Sequence, residues 1–283
     1  MRERCQYAEK IRRIRGLTVV GYQNQENREG FNYSTPNFVG VSGAKIINIQ
    51  DIQMEGVDDT EGEIQVLDES QLTTETYQWF NRLGNGKVGP MDCRVTCPEG
   101  AKGQWFLYDE VEDSYTYCDP NDEDSKKVFA WGDSIQLGSV EGATVTYAGG
   151  VTDDNLFRDG DLREGFNYIG NPFPAAINIQ DIQMEGVDDT EGEIQVLDES
   201  QLTTETYQWF NRLGNGKVGP MDCRVTCPEG AKGQWFLYDE VEDSYTYCDP
   251  NDEDTKKIIA AGEGFQLGAV EGASVTVLAP FDL

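Results

Sequence analysis

Histidine is absent from all 283 residues of this chain. That absence removes a large share of enzyme chemistry. Ser-His-Asp and Cys-His nucleophile systems, HExxH zinc sites and CxxCH haem attachment all need an imidazole. Carboxylates, thiols, lysines and tyrosines remain. Paired carboxylates of the glycosidase kind arise by chance everywhere among 52 acidic residues, so they select nothing. The chain reads as a non-enzyme, with neither haem nor nucleotide expected.

Positive charge is scarce as well. Lys and Arg number 22 against 52 Asp and Glu, a formal net charge of -30. Such a field repels nucleic acid and anionic lipid, attracts cations and keeps copies apart at low ionic strength. No run approaches the roughly 18 apolar residues that span a membrane. Aromatics make up 11% of the chain, whereas disordered acidic chains are poor in them.

What the sequence does contain is one stretch twice. Residues 177–254 repeat residues 47–124 at a shift of 130, identical at all 78 positions. A period of that size is a domain rather than a solenoid unit. The copies differ before 47 and after 124, where neighbouring domains would meet. Residues 1–16, MRERCQYAEKIRRIRG, are basic in an otherwise acidic chain. They offer the charged part of a signal peptide without its apolar core, and a weak helical spacing at Tyr7, Ile11 and Ile14. The expected organisation is this basic segment, a first β domain over 17–149, an acidic linker over 150–164 and a second β domain over 165–283.

Local patterns inside the repeat point to strands. Thr18-Val19-Val20 is a β-branched run; Ile47, Ile49 and Ile52 mark an apolar strand; 63–68 alternates. TTETYQWFN is rich in β-branched and aromatic residues. Asn85-Gly86 is a hairpin signal that asks for positive φ at both residues. Residues 104–108 and 115–118 flank the acidic turn DEVEDS as another hairpin, and strands are expected over 128–131, 134–137 and 143–147. Short strands with Gly-rich turns make the fold class all-β: two tandem, near-identical β-sandwich-like domains.

Each repeat opens on the motif GFNY, at Gly30–Tyr33 and Gly165–Tyr168. In the second copy the motif runs on into IGNPFP and an isoleucine-rich strand, and a GFQL strand precedes VTV near the end. In this the chain resembles secreted β-rich modules of Gram-negative bacterial surface and extracellular proteins. The resemblance implies an extracellular or cell-surface location and a structural role. The first copy departs from it, with Asn37-Phe38 lacking the prolines that flank Phe173, and Asp133-Ser134 in place of Glu263-Gly264.

Seven cysteines fall at Cys5, then Cys93, Cys97 and Cys118, then Cys223, Cys227 and Cys248. If extended, CRVTC separates its two cysteines by about 13 Å, at roughly 3.3 Å per residue, beyond the span of a disulfide. The expected bridges are Cys97–Cys118 and Cys227–Cys248. The remaining thiol of each repeat is free, joins Cys93 to Cys223 or bridges molecules. The competing reading keeps all three thiols of a repeat reduced and buried.

Two surfaces are candidate sites. In DPNDED, the oxygens of Asp119, Asn121 and Glu123, with Asp249, Asn251 and Glu253 in the second copy, alternate like the start of a calcium loop. Asp124 and Ala130 stand where an EF-hand needs Gly and Glu, so this is an irregular calcium site or a solvated turn. Trp105, Tyr108 and Tyr115, with Trp235, Tyr238 and Tyr245, form a sugar-stacking platform or simply pack. Trp105 and Leu107 share one face of their strand, Phe106 and Tyr108 the other.

The expected function is that of an extracellular structural or adhesive protein assembling with copies of itself into a filament or surface layer. Thr18, Val19 and Val20 supply a donated strand for that assembly. The alternative is a duplicated carbohydrate-binding module whose partners are glycans.

Overall fold

The computed structural model describes residues 19–26, 29–39, 45–67, 74–160, 162–197 and 204–281. Cys5, the basic segment and Thr18 lie outside them. The chain is all-β; among the described residues the helical pieces are two short 3-10 turns. None of them is long and apolar enough to cross a membrane.

The first half begins with β1 (Val19–Glu26), β2 (Gly30–Ser34), β3 (Ile46–Asn48) and β4 (Ile52–Glu55). It continues with β5 (Glu63–Leu67), β6 (Thr74–Asn81), β7 (Lys87–Val88), β8 (Val95–Thr96) and β9 (Gly103–Asp109). β10 (Ser114–Tyr117), β11 (Val128–Ala130), β12 (Ile135–Ser139) and β13 (Thr144–Val151) complete it. The second half runs β14 (Leu156–Arg158), β15 (Gly165–Gly170), β16 (Ile177–Asn178), β17 (Ile182–Glu185) and β18 (Glu193–Leu197). Then come β19 (Thr204–Asn211), β20 (Lys217–Val218), β21 (Val225–Thr226), β22 (Gly233–Asp239) and β23 (Ser244–Tyr247). β24 (Ile258–Ile259), β25 (Gly264–Ala269) and β26 (Ser274–Val277) end it.

Sheet order repeats with the sequence. A three-stranded sheet β1-β13-β4 and a six-stranded sheet β10-β9-β6-β5-β12-β2 in the first half become β14-β26-β17 and β23-β22-β19-β18-β25-β15 in the second. Both sheets of a half line one core. Ile52, Met54, Val145 and Tyr147 come from the small sheet, and Ile64, Trp79, Trp105 and Leu137 from the large one. Trp79 and Trp105 face each other across the β6–β9 pair, edge to face at 5.3 Å between ring centroids. Gly103 makes room for them, since a Cβ there would lie 2.4 Å from the Trp79 ring.

The alternation of β9 places Phe106 on the opposite face of the large sheet. There it packs with Phe80, Val88 and Cys97 under the small β7–β8 hairpin. Both faces of the sheet are therefore covered in part, and the second half builds the same cluster with Phe210, Val218, Cys227 and Phe236.

Several expectations are corrected. The strand over 47–52 is interrupted by a 3-10 turn, Ile49–Asp51, capped by Asn48 Oδ1, which accepts from Gln50 N at 2.9 Å. In the Asn85-Gly86 turn only Gly86 has positive φ, at 76°; its N–H donates to Leu83 O. The stretch 150–164 is not a plain linker, because it holds the end of β13 and all of β14. Val19 and Val20 are not a donated strand: they pair with Val151 and Gly150 of the same half. β14 takes the corresponding place in the second half, beside β26.

Candidate functional site

The aromatic platform does not form as expected. Trp105 and Trp235 are 0% exposed core residues, each donating its indole N–H to a backbone carbonyl, Ile52 O or Ile182 O, at 2.7 Å. What reaches the surface is a stacked tyrosine pair in each half, Tyr108–Tyr115 and Tyr238–Tyr245, with centroids 4.9 and 5.0 Å apart. Tyr108 and Tyr238 donate to Asp113 and Asp243, at 3.1 Å in each case. Those aspartates sit at the hairpin tips with positive φ. Each pair is held by its own hairpin.

The acidic loops close on themselves. Asp119 Oδ1 accepts from the N–H of Asn121 at 2.9 Å and from its Nδ2 at 3.2 Å, while Glu123 pairs with Lys126 at 2.5 Å. Asp249, Asn251 and Glu253 do the same, the last with Lys256. The alternate oxygens therefore turn to different partners rather than to one centre. Among the described residues no three His, Cys, Asp or Glu side chains are grouped to hold a metal.

The six thiols among the described residues are free. Cys118 lies in the main core with Trp105, and Cys97 lies in the cluster on the other face of the sheet, so the sheet itself separates the pair expected to bond. Cys248 and Cys227 are parted in the same way. Burial pushes the Cys118 thiol up to about 12, which leaves it protonated and poorly nucleophilic at neutral pH.

One charged cluster escaped the sequence reading because its members are 52 residues apart. Lys127 Nζ hydrogen-bonds Glu75 Oε2 and lies 5.5 Å from the centroid of the Tyr77 ring. Tyr77 OH donates to the same Glu75 oxygen at 2.8 Å, and burial followed by the Glu75 charge pushes that phenol up. Lys257, Glu205 and Tyr207 repeat the cluster. Each lysine is engaged by a carboxylate, so neither is a free nucleophile. A half-open depression lined by Pro36, Phe38, Ile47, Asp51 and Tyr147 has a cavity volume of about 10 Å³. Ligand sites ordinarily occupy roughly 300–1,000 Å³.

The most elaborate constellation is the junction between the halves, and it is built from residues outside the 78-residue block. Thr35 N donates to Gly262 O at 2.8 Å, and its counterpart Gly170 N donates to Gly132 O at 3.2 Å. The bridge Ser34↔Glu263 is matched by Asp133↔Ile169. Tyr33 and Tyr168, the last residues of the two GFNY motifs, meet with ring centroids 5.7 Å apart. Gln136 and Gln266 both reach the Tyr33 hydroxyl, at 3.4 and 2.7 Å. Equivalent residues thus exchange equivalent contacts, the signature of a twofold interface.

On top of this symmetry sits one asymmetric anchor. Trp131, where the second half has Ala261, is part of the second half's core. Its indole donates to Pro172 O at 3.1 Å and packs edge to face on Phe173 at 5.6 Å. Arg158 crosses back, donating to Trp131 O at 2.8 Å and Asp133 Oδ1 at 2.7 Å. Desolvation pushes the Asp133 carboxyl up, against the pull of Arg158. The divergent flanks marked this region in the sequence; its partners could not be read there.

No family model, curated protein or solved structure matches the chain.

Proposed function

We propose that this protein is a structural connector of the cell surface or extracellular space that assembles with copies of itself through sheet edges. The observation that carries the reading is the arrangement of those edges. The large sheets end on β2 and β10 in the first half, and on β15 and β23 in the second. β2 and β15 are the edges engaged at the junction. Among the described residues, β10 and β23, identical in sequence, have a hydrogen-bonded neighbour on one side only. An edge of that kind accepts a further strand. The chain thereby has two equivalent ends, as a repeating unit of a polymer requires.

The non-enzymatic part of the reading rests on the missing histidine, and the extracellular part on the resemblance of the GFNY and GNPFP motifs. The glycan reading loses both of its tryptophans to the core. Light scattering of the full chain across salt concentration tests the proposal. Association should grow with ionic strength as the charge of -30 is screened. Thr116→Lys with Thr246→Lys, on the two open edges, should abolish it, since edge lysines block strand addition. Met91→Lys with Met221→Lys adds the same charge at sites 84% and 85% exposed and should leave association in place. A chain that stays monomeric at every salt concentration overturns the reading.

A further inference from the structure

The twofold character of the junction raises the question of which half fits which. Superposing the GFNY motifs makes Thr35 the equivalent of Gly170, and the shift of the repeat makes Ser134 the equivalent of Gly264. Both pairs meet across the junction. A Cβ built on Gly264 would lie 1.9 Å from Ser134 Oγ, 3.0 Å from Ser134 Cβ and 3.1 Å from Ser34 N, its three nearest atoms all belonging to the first half. A Cβ on Gly170 would lie 2.0 Å from Thr35 Oγ1, nearer than anything in its own half, where Glu263 O follows at 2.4 Å. At both of these places the first half presents a side chain and the second a glycine, whereas Tyr33 and Tyr168 meet as like against like.

In a pairing of two first halves, Ser134 would meet Ser134 and Thr35 would meet Thr35, with side-chain atoms in overlapping space. In a pairing of two second halves, glycine would face glycine and leave gaps. We propose that the junction is a homodimer interface brought into one chain, whose axis has since split into side chain against glycine, so that each half accepts the other and rejects its own kind. Specificity of this sort comes from built-in clashes as much as from contacts. It assigns a role to the divergence of the flanks: the identical block needed no change, whereas the faces that meet had to become complementary.

The test is an exchange at the cleaner pair, in the full chain. Gly264→Ser alone should lower Tm by several degrees and speed amide exchange at Thr35 and Gly170, whose N–H groups cross the junction, while the amides of Trp79 and Trp209 stay protected. Ser134→Gly alone should cost less, because it removes an atom and adds no clash. The double variant Ser134→Gly/Gly264→Ser restores side chain against glycine with the sides reversed. It should recover most of the Tm and most of the protection lost in Gly264→Ser. Additive losses in the double variant would overturn the proposal, as would wild-type protection in Gly264→Ser. Should Gly264→Ser fail to fold, recovery of folding by adding Ser134→Gly supports the proposal, and persistent failure of the double variant defeats it.

Discussion

Gln50 holds the backbone of Trp105 from both sides: its Oε1 accepts from Trp105 N at 2.9 Å, and its Nε2 donates to Trp105 O at 2.9 Å. The same Nε2 donates to Cys118 O at 2.8 Å. The side chain thus stands in for a strand at the point where β9 and β10 part, and Gln180 does so in the second half. Gln50→Ala orphans buried backbone groups, which should cost on the order of 2–4 kcal/mol. Thermal unfolding should show a loss of roughly 2–4 °C per kcal/mol for a chain of this size. An unchanged Tm would mean that water replaces the amide without cost.

At Thr35 a substitution should stabilise. The residue is 0% exposed and, among the described residues, its Oγ1 has no hydrogen-bond partner. A buried hydroxyl in that condition carries a desolvation cost of about 1–3 kcal/mol, and valine has nearly its shape. Thr35→Val should therefore raise Tm. A fall in Tm would show that the hydroxyl is satisfied in solution.

Mild acid should stabilise the fold. Burial raises the carboxyls of Asp51, Asp133, Asp181 and Glu263 above their ordinary values of 3.8 for Asp and 4.5 for Glu. With a raised folded pKa, the native state binds more protons than the unfolded state between the two values, so stability rises as pH falls through that window. Relief of self-repulsion at a net charge of -30 acts in the same direction. Tm should be higher at pH 5 than at pH 7. A decrease over that interval would contradict the assignment of burial as the main cause.

Mass mapping without reductant should find Cys97, Cys118, Cys227 and Cys248 as thiols, and native alkylation of Cys118 and Cys248 should be slow. The sheet between the two clusters is the reason, reinforced by the raised thiols of Cys118 and Cys248. A Cys97–Cys118 peptide would require the sheet to open.

Calcium should shift Tm no further than monovalent salt at matched ionic strength, because the oxygens of Asp119 and Glu123 are turned to Asn121 and Lys126. Screening acts on all exposed carboxylates alike. An excess shift with calcium would mean that the loop reorganises around the ion.

Much of the fold could be read from local pattern. The strands at Glu63–Leu67, Thr74–Asn81 and Gly103–Asp109 follow alternation and β-branched content, and the two faces of Trp105 and Phe106 follow from the pleat. What pattern could not give was the filling of the second face. The β7–β8 hairpin supplies it from a glycine-rich stretch with little apolar periodicity. Gln50 was illegible for another reason: an amide in an isoleucine-rich run looks like an interruption until its carbonyl partners, 55 and 68 residues away, are in place. Trp131 resembled any core aromatic, since nothing in its neighbourhood says that the core belongs to the other repeat.

Trp131 and Val39 complete the core of the second half, whereas the main core of the first half draws, among the described residues, on its own side chains alone. The dependence runs one way. A chain made from its N-terminus delivers the self-sufficient half first, and domains generally fold as units in that order. When residues 156–281 emerge, the indole that finishes their interior is already held on a folded neighbour. The first half thus lends the second a piece of its interior, and a second half made alone lacks the indole that closes it.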